Sequence, residues 1–330
     1  MRRTFYASTL ALLIAAFASA TASAQTPSAA AQLPLPASDA VLTLDVRALF
    51  NEVIPRALAS DKARLAQVNA DVDEFRARTG IDAREFDTLA VGARIVALPS
   101  GATKLDRVTA VARGRFRTEA LVAAARAAAK GGLAEQTYGG KTVYVATVNG
   151  PLKLFGLARM QVRELAFAVL DPNTLALGEP EDVRAAIDAQ AGKGRADTGL
   201  LNFNKDAGTF MAFAGNVPAG ALAGVETGMS PSVDRAIASV RGFYGTAGST
   251  AAGLRLMTAL RAGSGPDAKQ LYDVVSALRQ IAPGFISMAG PKWAFARGLV
   301  DTMKVTTAGN EVQLRLDVPQ ADIATVLKAL

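Results

Sequence analysis

Chemistry in this 330-residue chain would have to come from a short list of residues. Gly140-Lys141-Thr142, preceded by Gly139, ends as a phosphate-binding loop ends. Such a loop also needs a glycine five residues before the Gly-Lys pair, where Glu135 stands. It needs a helix to follow, whose first amides hold the phosphate. The segment Thr142–Thr147 (TVYVAT) is instead β-branched and aromatic, which predicts a strand. Gly139-Gly140 is therefore read as a tight turn between strands. Asp197-Thr198-Gly199 is the tripeptide of aspartic proteases, but it follows GKGRA rather than an apolar strand and has no second copy. Two facing aspartates are what make that chemistry work, so the tripeptide is read as linker. Asp171-Pro172-Asn173 and Gly178-Glu179 offer carboxylates where a turn and a helix start want them anyway.

Two absences narrow the chemistry further. The chain has no histidine and no cysteine. That removes Ser-His-Asp and Cys-His catalysis, imidazole and thiolate zinc sites, and disulfides. Carboxylate, lysine, tyrosine and hydroxyl chemistry remain, with one tryptophan and five tyrosines to line any sugar cleft. No catalytic, cofactor-binding or metal-ligating residue is assigned, and no cofactor is expected.

The N-terminus reads as an export signal. Arg2 and Arg3 precede the apolar run Leu10–Phe17, and Ala22-Ser23-Ala24 supplies small residues before a cut between Ala24 and Gln25. The apolar run is too short to span a bilayer, so residues 1–24 are expected to be a cleaved signal peptide. The expected location is periplasmic or secreted, with no transmembrane span in the mature chain. Basic residues exceed acidic ones by 36 to 29 but are interspersed with them, so no nucleic-acid partner is expected.

These residues must be carried by a frame, and the pattern predicts an α+β fold. Residues 25–36 form a flexible lead-in, 37–192 a first α+β half, 193–207 a linker and 208–330 a second half. Strands are expected at Val41–Val46, Leu89–Leu98, Arg107–Phe116, Thr142–Thr147, Leu165–Leu170 and Thr174–Leu177. Helices are expected from Leu49 to Gly80, split at Pro55, over Thr118–Lys130, and from Pro180 to about Gln190.

The second half repeats this order. Strands fall at Thr209–Ala214, Ser239–Gly248, Ala252–Arg261, Met303–Thr307 and Val312–Val318, and helices over Pro266–Ile281 and Pro319–Leu330. LALGEPEDVRAAI (Leu175–Ile187) echoes LRLDVPQADIATVL (Leu314–Leu327), which suggests a tandem duplication. Strand pairs followed by single helices favour an antiparallel sheet with helices on one face. Gly215–Ser232 is glycine-rich and is read as a surface loop, with cover over a groove as its functional alternative. Phe285–Phe295 holds the tryptophan in an apolar run and is read as core, with a partner or lipid contact as alternative.

The stretches LPASDAVLTLDV, TGIDAREFDTLAV, VTAVARGRF and LAFAVLDPNTLALGEPEDVRAAID resemble an uncharacterised family of secreted or lipoprotein-like bacterial proteins. The resemblance covers most of residues 33–192 and rests on strand, turn and helix-start residues, so it implies a fold and a location but no catalytic residue. The expected function is a non-enzymatic periplasmic or secreted protein binding a protein partner or a small apolar ligand. The alternative is a histidine-free envelope hydrolase working through carboxylates, which requires two close acids, one of them with a raised pKa.

Overall fold

The computed structural model describes residues 33–97, 103–129, 132–147, 151–154, 158–161, 164–197, 200, 206–224, 228–288, 290 and 294–329. The expected signal segment, with Ala22, Ala24 and Gln25, lies outside the described residues, as do Pro99-Ser100-Gly101, Thr198-Gly199 and Trp293.

Strand β1 (Ala40–Asp45) alternates buried and half-buried positions. The Asp45 carboxylate accepts from the Ala48 amide and opens a helical run, Val46–Ala48, Leu49–Val53 in π geometry, then Ile54–Ala57 with Pro55 in its first turn. Helix α1 (Lys62–Thr79) begins at Asp61, which accepts from Arg64, and stops at Gly80 with φ 69°. Then come β2 (Phe86–Ala97), β3 (Thr103–Gly114), α2 (Thr118–Ala128), β4 (Leu133–Tyr138) and β5 (Lys141–Thr147). β6 (Pro151–Leu154) and β7 (Ala158–Gln161) form a separate hairpin. β8 (Glu164–Asp171), β9 (Thr174–Gly178) and α3 (Pro180–Gln190) close the first half. The second half is β10 (Thr209–Asn216), α4 (Pro231–Ala238), β11 (Val240–Thr250), β12 (Gly253–Ala262), α5 (Gly265–Met288), α6 (Ala294–Thr302), β13 (Lys304–Ala308), β14 (Glu311–Pro319) and α7 (Gln320–Ala329).

The α+β class and the antiparallel sheet agree with the sequence pattern. Twelve strands form one sheet in the order β13-β14-β12-β11-β10-β1-β2-β3-β9-β8-β5-β4, with every pairing antiparallel. Both halves contribute, joined where β1 pairs with β10. The runs β1-β2-β3-β9-β8 and β10-β11-β12-β14-β13 have the same order.

Residues directly opposite each other in a ladder share a face, so the registers show which helices lie where. Thr43, Ala90, Val111, Ala176, Ala168 and Val143 lie in one row across the first half. Val183, Ala186 and Ile187 of α3 pack into the core on that face. The opposite face, reached through Leu42, Phe213, Gly245, Thr258 and Leu314, is covered in the second half. There Leu271 of α5 packs near Leu260 and Val312, and Ile323 of α7 packs near Leu254 and Val318. Helix α3 thus stands on the other side of the sheet from α5 and α7. Pro180 is the first residue of α3, whereas Pro319 is the last residue of β14 and α7 begins after it.

Between β11 and β12 the chain turns at Thr250–Gly253, and Gly253 has φ 149°. A Cβ there would collide with the Val318 carbonyl oxygen. Gly253→Ala is expected to lower the unfolding free energy by more than about 2 kcal/mol, read as a shift of the urea midpoint at unchanged slope.

Candidate functional site

A concavity of about 490 Å3 opens on the α3 side of the first half. Three pieces of chain wall it. The first is the segment entering β1, which supplies Pro36 and Ala37. It is held by the Ala37 amide donating to the Gly194 carbonyl at 2.7 Å and the Ala196 amide donating to Leu35 at 2.9 Å. Gly92 of β2 lets this segment come close, because a Cβ there would collide with the Ser38 hydroxyl. That hydroxyl donates to the Pro36 carbonyl at 2.8 Å.

The second wall is the β2–β3 ladder, with Arg94, Val96, Asp106, Arg107 and Thr109. Gly92 faces Thr109 and Arg94 faces Asp106, so Arg107 and Val108 together oppose the single residue Ala93. This is a β-bulge, and Arg107 sits in it with φ 52°, the described non-glycine residue with positive φ. A side chain in this region costs about 1–2 kcal/mol relative to glycine. The bulge re-aims Arg107 toward the third wall, the first turns of α3, which supplies Asp182 and Ala185.

Arg107 Nε donates to Asp182 Oδ1 at 2.6 Å, and its Nη1 donates to Glu181 Oε2 at 3.2 Å. The Asp182 side chain is only 3% exposed, whereas that of Arg107 is 45% exposed. Asp182 Oδ2 and Thr109 Oγ1 are both buried without a hydrogen-bond partner. Gly178 brings the two residues together: a Cβ on it would lie 3.2 Å from Asp182 Cβ and 3.6 Å from Thr109 Cα. Burial pushes the Asp182 carboxyl above its ordinary value, against the lowering by the Arg107 hydrogen bond and charge, while Glu181 and Asp106 add to the rise. Arg107 is raised, chiefly by its bond to Asp182. Arg94 is engaged elsewhere, with Nε 3.0 Å from Asp39 Oδ2, an oxygen that also accepts from the Ile95 amide.

The other polar cluster, on β11, β12 and β14, is saturated. Tyr244 donates to Glu311 at 2.8 Å, Arg261 holds the other oxygen of Glu311, and Arg255 Nε donates to Asp317 at 2.7 Å. Burial and the bond to Glu311 push the Tyr244 hydroxyl up. This ladder ties strands together and leaves no acceptor unspent on Tyr244 or Glu311. Among the described residues, no group of three acidic side chains is placed to hold a metal ion.

The residues singled out from sequence fall elsewhere. Gly139 (φ 53°) and Gly140 (φ 74°) form the turn joining β4 to β5, where Tyr138 faces Lys141, so a strand follows as expected. Asp171 Oδ1 accepts from the Asn173 amide at 2.9 Å within the β8–β9 turn. Glu179 is the residue before α3, and its carbonyl accepts from the Asp182 and Val183 amides. Asp197 lies in the connection, its carbonyl accepting from Leu200 at 3.3 Å. In the glycine-rich segment, Ala221 is buried and Val217 and Leu222 pack on the second-half core, away from the concavity. Ile281, Phe285 and Met288 are exposed at the end of α5.

The sequence reading passed over Asp182, Arg107 and Thr109. An acid in the first turn of a helix is ordinary, and an arginine and a threonine in a strand are ordinary too. The one available signal was Glu181-Asp182 directly after Pro180, which the helix start accounted for.

No protein-family model matches the chain, and no curated protein does. Among solved structures, crystal form III of TP0453 gives a TM-score of 0.47 at 10% identity, covering 90% of this chain and 98% of that one. Crystal form I of TP0453 gives 0.46 at 9% identity, covering 90% and 96%. The class defined by fold and site is an α+β protein with a buried, half-satisfied carboxylate at the foot of a surface concavity.

The raised Asp182 carboxyl fixes the sign of a pH effect. Above the ordinary value of 3.8 and below its folded value, the native state holds more of this proton than the unfolded chain. Its contribution to stability is therefore fully present below 3.8 and is lost as pH rises through the folded value. Asp182→Asn should lack this loss. Urea titrations of both proteins from acid to neutral pH should show wild-type stability, relative to the variant, falling as pH rises.

Proposed function

We infer that this is an exported, non-enzymatic binding protein whose first-half concavity receives a small, mainly apolar ligand with one polar end. The observation that carries this is the pair of unspent acceptors, Asp182 Oδ2 and Thr109 Oγ1, beside apolar lining at Pro36, Ala37, Val96 and Ala185, with Arg94, Asp106 and Arg107 also in the walls. Ligand sites are characteristically apolar with a few placed polar groups, and about 300–1,000 Å3 in volume. Export is supported by the positive–apolar–small order ending at Ala24 and by the resemblance to secreted bacterial proteins. The matching strand orders of the two halves support a tandem duplication. Among the described residues, no helix is long and apolar enough to cross a membrane.

A carboxylate-dependent hydrolase is the second reading, favoured by one observation: Asp182 has a raised pKa and shares the concavity with Asp106. Against it stands Arg107, which occupies Asp182 Oδ1 and holds the group as an ion pair rather than as a free acid.

Native mass spectrometry on the chain from Gln25, purified gently from its own host, tests the reading. A discrete extra mass is expected in the wild type and not in Ala185→Phe, whose ring intrudes into the concavity from α3 beside Asp182. A clean wild-type mass, or an adduct that persists in Ala185→Phe, would overturn ligand carriage at this site and direct attention to a protein partner. Turnover of ester or glycoside substrates that Asp182→Asn abolishes would establish the second reading instead.

A further inference from the structure

We propose that the polar end of the ligand is an organic ammonium group, and that it binds by taking the place of Arg107 on Asp182. The proposal rests on the concavity being a ligand site and adds the ligand's chemical class and the exchange that admits it.

The chemistry follows from what each group at the floor can do. An ionised carboxylate is acceptor-only, and a threonine hydroxyl accepts as well as donates. A ligand atom facing Asp182 must therefore bring N–H or O–H donors, and a cation does so with the stronger, charge-assisted bond. An ammonium has three donors, which matches Asp182 Oδ1, Asp182 Oδ2 and Thr109 Oγ1. At Asp182 itself a carboxylate or phosphate end would meet like charge, with the Thr109 hydroxyl as its donor there and the arginines of the rim, Arg94 and Arg107, already paired with Asp39 and Asp182. The apolar body would then lie along Pro36, Val96 and Ala185.

Access follows from Arg107. Both unspent oxygens have almost no accessible surface, so nothing reaches them while the guanidinium stays on Oδ1. Arg107 is, however, a cap that borders solvent. Its side chain is nearly half exposed, its backbone is held at φ 52°, and its second bond, to Glu181, is at the surface. Leaving Asp182 lets the guanidinium hydrate and stay near Glu181, and in the bound state the buried carboxylate has one cationic partner in place of another. A buried charge that loses its partner is strongly destabilising, so exchange of one cation for another is the route that avoids that cost. Arg107 is thus a resident competitor for the site and not a ligand-holding residue.

Calorimetric titration of the mature chain near neutral pH tests this with three probes of one shape: n-hexylammonium, n-hexanol and hexanoate. Hexylammonium is expected to bind at least about tenfold more tightly than hexanol, and hexanoate not at all. Asp182→Asn should remove the preference for the ammonium, and Ala185→Phe should remove binding of every probe. Arg107→Gly fits the positive φ and removes the competitor, so it should bind hexylammonium more tightly. Arg107→Met, which keeps the bulk, should shift affinity in the same direction if the glycine variant does not fold. Weaker ammonium binding in the folded Arg107 variants would overturn the exchange. Equal binding of hexanol and hexylammonium, still blocked by Ala185→Phe, would overturn the ammonium class and leave the concavity standing. No binding by any probe, together with a native adduct indifferent to Ala185→Phe, would overturn both.

Discussion

The ladder between β1 and β10 is the contact on which the rest of the molecule depends. β1 is the first strand of the sheet in the chain, yet it lies in the middle, paired on one edge with β2 and on the other with β10. Val41 opposite Ala214 and Leu42 opposite Phe213 set which side chains go to which face. Because strand side chains alternate, a slip of one residue would exchange the two faces over the whole joint. Val41 would then leave the core beneath α3, and Leu42 would enter it. Two glycines make the joint tight. Gly92 admits Ser38, and Gly215 admits the Phe243 ring, whose nearest atom would lie 2.6 Å from an added Cβ. The same close approach at Gly92 lays Pro36 and Ala37 over the α3 side, so the joint between the halves also builds one wall of the concavity.

The concavity is where the molecule departs from local rules. A non-glycine residue at positive φ, a carboxylate in the apolar layer and two buried oxygens without partners occur within a few residues' reach of each other. Each is unfavourable on its own, and burial is what raises Asp182. The contrast with Glu311 is instructive. Its two oxygens are taken by Tyr244 and Arg261, and the arrangement cross-braces the strands of the second half. Asp182 has one oxygen taken and one unspent. Such a gathering of conflicts marks a candidate functional site, although single unpartnered atoms such as Thr174 Oγ1 and Gln320 Oε1 are buried elsewhere too.

The two halves use one strand order for different ends. In the second half, α5, α6 and α7 cover the face that carries Leu254, Leu316 and Val318, and the polar ladder lies on the other face. In the first half, α3 covers that other face, and the start of this helix brings Asp182 against the β3 bulge. The same strand order thus carries its covering helices on one face in the second half and α3 on the other face in the first.

Much of the local structure was written in the sequence. Gly80 ends α1, Gly139-Gly140 turns the chain between β4 and β5, Pro180 starts α3, and the alternating runs of β2, β3, β11 and β12 are strands. These follow from steric and pattern preferences that act over a few residues, so no distant partner is needed to predict them. β4, the β6–β7 hairpin, α4 and α6 went unread. β4 is an exposed edge strand without an apolar face, and α4 follows a glycine-rich segment that masks its start at Ser230. α5 runs on through Pro283 to Met288, because packing of its first half outweighs one lost amide bond. The faces of the helices, the pairing of β1 with β10, and the meeting of Arg107, Thr109 and Asp182 were decided only by tertiary structure. Arg107 and Asp182 are 75 residues apart in the chain, and neither residue type is unusual where it stands. Their chemistry arises from burial, which is a property of the assembled sheet and not of either segment.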